Sequence, residues 1–181
     1  MKRLIGVAGK ARSGKDEFTR GLVAQGYTRG AFADALKQVT ALIADEPLVN
    51  FTDDVLKEGY CPSLKMTRRA ALQKVGAGGR EILHDGIWAD RLLAQAAQHD
   101  HFAISDVRFP NEARAIRALG GIVVLIERPD NVGLTGEAAQ HVSERPLPPE
   151  LIDLLVTNHG TVGDLHEEAR LIAGRLELRT P

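Results

Sequence analysis

The sequence predicts an α/β fold, a five-stranded parallel sheet with helices on both faces. Three observations carry this. Short apolar runs alternate with amphipathic helical segments along the whole chain, the pattern of strand–helix–strand crossovers. The strand-like runs RLIGVA and HFAIS read as continuously apolar, as strands buried on both faces do. At the first strand-to-helix junction stands the spacing Gly9, four residues, Gly14-Lys15.

In chain order, residues 3–8 are the first strand. A helix is predicted over 15–25 and ends at Gly26. Residues 27–32 form a weaker second strand, followed by a helix over 35–44 with Leu36, Val39, Leu42 and Ile43 at helical spacing. Residues 45–66 are expected to be irregular, broken by Pro47, Gly59 and Pro62. Thr67 caps a helix through RRAALQKVGA, which the cluster Gly76, Gly78 and Gly79 is expected to end, with a further helical turn over 80–84. A helix over 88–98 leads to a strand over 101–106. A helix begins at Pro110 and stops at Gly120-Gly121, and the fourth strand is 122–126. Residues 128–149 are polar and loop-like. The last strand is expected over 151–156 and the closing helix over 162–175. There is no internal repeat and no low-complexity tract.

Composition bounds the function. A chain of 181 residues is long enough for one domain with a substantial core. The formal net charge is −1, so bulk electrostatics favours no nucleic-acid backbone, and the 4% aromatic content supplies few stacking platforms for single strands. A nucleic-acid partner is therefore not expected. The single Cys61 excludes an intrachain disulfide, and a structural zinc site lacks its ligand cluster. The N-terminal apolar run is too short for a signal peptide, and none reaches the ~18 residues of a membrane span, so the expected location is the cytoplasm.

The stretch GVAGKARSGKDEF is a phosphate-binding loop between a strand and a helix, which makes the fold that of the three-layer P-loop NTPases. Backbone N–H groups of Gly9, Lys10, Ala11, Arg12, Ser13 and Gly14 would curl round an anion, the helix N-terminus would add positive charge, and Lys15 would reach the β- and γ-phosphates. Asp16 stands where most such loops carry Ser or Thr. It is either a hard oxygen ligand for Mg²⁺ or a capping carboxylate in the first turn, which also contains Glu17.

Taken together, GKARSGKD, FADALK, LQKVGAGGR, IWAD, SDVRFPNEA, IERPD, HVSE and VTNHGTVGDL, in that order, resemble the phage-type deoxynucleoside monophosphate kinases of the P-loop nucleoside monophosphate kinase superfamily. SGKD is that family's own form of the loop, and the loop 45–66 aligns least. The resemblance implies one kinase domain over residues 1–181, with a mobile acceptor-binding insertion at 45–100 and a lid-like segment at 128–149. It implies ATP as donor, Mg²⁺ as cofactor and a deoxynucleoside monophosphate as acceptor. Lys15, Arg12, Asp34 and Arg108 are the expected catalytic set. Asp34 is either an acceptor- or metal-orienting group or a helix cap. Asp16 and Asp106 are the expected metal carboxylates, Asp106 reading otherwise as a turn or capping residue. Arg128 and Asn158 are expected on the ATP side, with Thr157 to Gly160 as an adenine-side loop reading the base through its backbone. On the acceptor side are Lys37, Arg68, Arg69, Arg80 and Arg108, because guanidinium binds phosphate bidentately. Trp88 either stacks on a base or belongs to the core. His141 and Glu144 fall in the lid and otherwise read as exposed loop residues. A homodimer is compatible with the pattern. Two other functions share the loop: another small-molecule kinase such as a dephospho-coenzyme A kinase, and a non-catalytic nucleotide-binding regulator. The last strand ends in TNHG rather than in an Asn-Lys-x-Asp guanine reader, which argues against a GTPase switch.

Overall fold

The computed structural model describes residues 3–129 and 145–178. Its sheet contains β1 (Arg3–Ala8), β2 (Thr28–Gly30), β5 (His101–Val107), β6 (Ile122–Glu127) and β7 (Leu154–Thr157). Their order is β2-β5-β1-β6-β7, and every pairing is parallel. The central β1 has β5 on one side and β6 on the other, so the chain reverses its direction of winding at β1. A crevice opens at the carboxyl end of such a strand.

Helices α1 (Lys15–Ala24), α6 (Pro110–Ala118) and α7 (Val162–Leu178) cover this sheet. Ile5 and Val7 lie in one core with Phe18 and Leu22 of α1 and Leu165, Ala169 and Ile172 of α7. Gly6, between them, faces the other way, where a Cβ would meet Ile116 of α6 at 2.6 Å. Strand alternation thus puts α1 and α7 on one face and α6 on the other. Gly26 ends α1 at φ +87°, a conformation glycine adopts without strain.

The chain divides into two units, Met1–Ala31 with Leu93–Pro181, and Phe32–Leu92; the second cut falls within α5 (Ile87–Ala96). The second unit contains α2 (Phe32–Ala44), the short α3 (Val49–Thr52), a 3-10 turn at Leu56–Glu58 and α4 (Arg68–Ile82). It also contains a two-stranded antiparallel hairpin, β3 (Tyr60–Cys61) and β4 (Met66–Thr67). Its small core is Ala41, Ala44, Phe51 and Cys61, flanked by Leu64 and Leu72.

Four sequence expectations are corrected. The second strand is shorter than expected, because α2 starts at Phe32 rather than Ala35, so Asp34 lies inside the first turn and not at the cap. The glycine cluster does not end α4, which runs through Gly76, Gly78 and Gly79 to Ile82. Two of these glycines are spaces filled from outside the helix, Gly76 by Leu36 and Gly79 by the Trp88 ring. The segment 45–66 holds a short helix, a 3-10 turn and a hairpin strand. The last strand begins at Leu154, because Pro149–Leu151 forms a 3-10 turn first. The cap at Thr67 is present, its Oγ1 accepting from the Ala70 N–H at 3.2 Å.

Candidate active site

The loop after β1 curls because three of its residues adopt positive φ. Gly9 is at +145°, Arg12 at +63° and Gly14 at +104°. At Gly9 a Cβ would stand 2.4 Å from the Ile126 carbonyl, so only glycine lets the chain leave β1 this close to β6. The Ser13 N–H donates to the Lys10 carbonyl at 3.2 Å, closing the turn, and the Phe18 N–H donates to the Gly14 carbonyl at 2.9 Å, opening α1. No side chain caps α1, so its amino end is available to an anion. Lys15 is buried, and its Nζ donates back to the Lys10 carbonyl at 2.8 Å, which holds the ammonium over the loop. The Ser13 hydroxyl is buried and has no hydrogen-bond partner among the described residues. A buried donor of that kind, inside a loop of N–H groups, suits a phosphate oxygen.

Arg12 and Lys10 are exposed, and Asp16 is exposed at the second position of α1. Glu17 points elsewhere: it is paired with Arg20, and its Oε2 lies 3.6 Å from His166 Nε2 on α7.

The end of β5 lies beside the loop. The β1–β5 register shifts between Gly6 and Ala8, so that Ala8 pairs with Val107, next to Asp106 and Arg108. The buried Glu112 of α6 fixes this turn, its Oε2 accepting from the N–H of Arg108 at 2.8 Å and of Phe109 at 3.0 Å. A cavity of about 280 Å³ opens here, lined among others by Gly9, Lys10, Ser13, Arg108, Arg128 and Arg145. Four of these six residues are cationic, and Glu127 is the one acid among the described lining residues. Such a concave basic surface concentrates phosphate. Sequence reading missed Arg145, which follows a long polar segment and looks there like a solvated charge. It also missed the buried Glu112, although the Pro110 helix start with an acid in the first turn is a legible signal.

Among the described residues no three His, Cys, Asp or Glu side chains cluster, so no all-protein metal cage exists there. Magnesium in a nucleotide site takes most ligands from phosphate and water and needs one or two carboxylates. The exposed Asp16, at the start of α1, and the half-buried Asp106, next to Val107 which pairs with Ala8, are carboxylates of the kind that donor set needs.

The second unit carries the other sequence candidates. Asp34 and Lys37 are half-buried in the first two turns of α2. Arg68 is engaged: its Nε donates to Glu46 and its Nη1 to the Leu56 carbonyl at 3.1 Å. This guanidinium, with help from Asn50, draws the Glu46 carboxyl down to about 2. Arg69 is paired with Glu58, which lowers the Glu58 carboxyl as well. Arg80 is half-buried in the last turn of α4, its Nη1 3.4 Å from the Gly76 carbonyl. Trp88 Nε1 donates to that same carbonyl at 3.1 Å while its ring covers Gly79. His141, Glu144 and the middle of the expected lid lie outside the described residues.

Asn158 follows β7, as the sequence places it. It is buried at the end of β7, and its Nδ2 donates to the Ser13 carbonyl at 2.9 Å.

Known proteins resemble this chain along most of its length. Residues 80–169 match the model of the deoxynucleotide monophosphate kinase family. A protein of Acanthamoeba polyphaga mimivirus, provisionally named a deoxynucleotide monophosphate kinase, is 30% identical over 91% of this chain and 93% of its own. In fold, a Thermus thermophilus crystal structure matches with a TM-score of 0.57 at 20% identity, over 99% of each chain. The dephospho-CoA kinase from Campylobacter jejuni matches with a TM-score of 0.51 at 16% identity, over 96% of this chain and 97% of its own. The chain belongs to the deoxynucleotide monophosphate kinase family.

Proposed function

We propose that this protein transfers the γ-phosphoryl group of ATP to a deoxynucleoside monophosphate, giving ADP and the deoxynucleoside diphosphate. The observation that carries the reading is the phosphate loop, with its buried Lys15 and a buried Ser13 hydroxyl that has no partner among the described residues, opening into a cavity lined by three arginines. In such a transfer an oxygen of the acceptor phosphate attacks the γ-phosphorus while the bond to the β–γ bridging oxygen breaks. The protein supplies position and charge neutralisation. In this reading the loop N–H groups and Lys15 hold the triphosphate, and Arg12, Arg108, Arg128 and Arg145 neutralise charge around it. Asp16 and Asp106 would hold Mg²⁺, which when bound offsets charge on the phosphates.

Asp34, Lys37, Arg80 and Trp88 are the acceptor-side residues of this reading. Arg68 and Arg69 serve it indirectly, by tying the start of α4 to Glu46 and Glu58. The segment 45–100 acts as the acceptor-binding part and 128–149 as the lid, which would exclude water from the transfer. The fold likeness to a dephospho-CoA kinase concerns architecture alone. Among the described residues no helix is long and apolar enough to cross a membrane. A phage-type enzyme of the cytoplasm, acting on free nucleotides, is the setting that fits.

Coupled measurement of ADP release tests this. With ATP and magnesium, at least one of the four deoxynucleoside monophosphates should accelerate release far above the rate without acceptor, and dephospho-coenzyme A should not. Acceleration by dephospho-coenzyme A alone, or by none of them, overturns the reading.

A further inference from the structure

We infer that Asn158 is a positioning residue for phosphate binding, setting the orientation of the Ser13–Gly14 peptide; this rests on the ATP-dependent reading above. Three elements meet at this side chain. The Asn158 backbone N–H donates to the Glu127 carbonyl at 2.6 Å, which ties β7 to the end of β6. The Asn158 Nδ2 donates to the Ser13 carbonyl at 2.9 Å, across 145 residues of sequence, in a buried setting. Gly14 leaves the space: a Cβ there would stand 2.8 Å from Asn158 Nδ2 and 2.8 Å from Leu165 Cδ1.

A trans peptide is planar, and its C=O and N–H point in opposite directions. Holding the Ser13 carbonyl toward Asn158 therefore turns the Gly14 N–H away from Asn158, toward the open side of the loop. That N–H stands at the head of α1, where the helix end and the loop amides favour an anion. Without the tie, the Ser13–Gly14 peptide, which leads into Gly14 at φ +104°, loses the side-chain hydrogen bond to its carbonyl. The amide would sample orientations that offer its carbonyl oxygen to the phosphate instead.

Calorimetric titration with ATP and, separately, with each deoxynucleoside monophosphate tests this on the full chain. Asn158→Ala should weaken ATP binding about 10-fold, the size of effect expected when a buried amide–carbonyl bond is removed, and leave monophosphate binding within about twofold. Asn158→Asp keeps the volume and replaces the donor by a carboxylate against the Ser13 carbonyl. Its ATP affinity relative to the parent chain should recover as the pH is lowered, because the protonated acid again donates. That recovery decides the matter even where Asn158→Ala does not fold. A merely architectural Asn158 would lower the melting temperature without moving ATP affinity and without this pH signature, and that result overturns the inference. Loss of ATP and monophosphate binding in equal measure overturns it as well. Absence of ATP binding by the parent chain overturns the kinase reading itself, and so is distinguishable.

Discussion

Two adjacent glycines of α4 should respond in opposite directions to the same substitution. In a helix interior Gly→Ala gains roughly 1 kcal/mol, because alanine loses less backbone freedom on folding. At Gly78 nothing lies within 4 Å of an added Cβ. Gly78→Ala should therefore keep most of that gain, about 0.5–1 kcal/mol. At Gly79 the added Cβ would stand 2.6 Å from Cζ2 and 3.2 Å from Cε2 of Trp88. The indole cannot swing away freely, since its Nε1 donates to the Gly76 carbonyl at 3.1 Å. Forcing a methyl into such a space costs about 1–3 kcal/mol, which cancels or exceeds the helix gain. The two variants should thus differ by roughly 1–3 kcal/mol. For a chain of this size that separates their melting temperatures by roughly 2–12 °C. Thermal unfolding followed by circular dichroism reads the difference. Trp88 is the single tryptophan, so its emission should shift in Gly79→Ala and stay unchanged in Gly78→Ala. Equal melting temperatures, or a Gly79→Ala protein more stable than Gly78→Ala, would refute the account of α4 as a helix whose glycines make room for side chains.

Two further outcomes are expected. Lys15→Met should lower phosphoryl transfer by roughly 10²–10³-fold, the usual effect of losing one charge-stabilising donor, with the circular dichroism spectrum unchanged; parent-like turnover would remove Lys15 from the mechanism. The Glu46–Arg68 pair should make stability depend on acidity, because the Glu46 carboxyl is drawn from an ordinary 4.5 to about 2 in the folded chain. A carboxyl depressed by folding contributes fully above its unfolded value, and the contribution fades as the pH falls through the folded one. The urea midpoint of the parent chain should fall between about pH 4.5 and pH 2 more steeply than that of Glu46→Gln. Parallel curves would show that this pair does not couple to unfolding.

The phosphate loop and the sheet were legible because their signals are local. A strand buried on both faces reads as an apolar run, and the loop requires glycine at fixed spacing. The α4 glycines were misread because the reason for them is tertiary. Gly76 and Gly79 face Leu36 and Trp88, and neither neighbour is visible in the sequence around 76–79. The start of α2 was displaced for a related reason. Ala31 and Phe32 are both buried, so they read as strand although the helix has already begun at Phe32. Asn158 shows the same limit at the site, since its partner Ser13 is 145 residues away.

Charge sharpens the point. The chain is nearly neutral overall, and its many arginines look alike in one dimension. Arg20, Arg68, Arg69, Arg117 and Arg170 each have a carboxylate within ion-pair distance. Arg108, Arg128 and Arg145 line the cavity at the phosphate loop. Arg68 and Arg108 both follow the end of a strand, yet Arg68 meets Glu46 whereas Arg108 has its backbone N–H held by Glu112 and its side chain at the cavity. The Glu46 carboxylate against the Arg68 guanidinium ties down the start of α4, whereas the Glu112 carboxylate against the Arg108 backbone fixes where the chain leaves β5. Which atoms an acid meets, and whether a residue lines the cavity, are thus decided by tertiary contacts, and these separate arginines that look alike along the sequence.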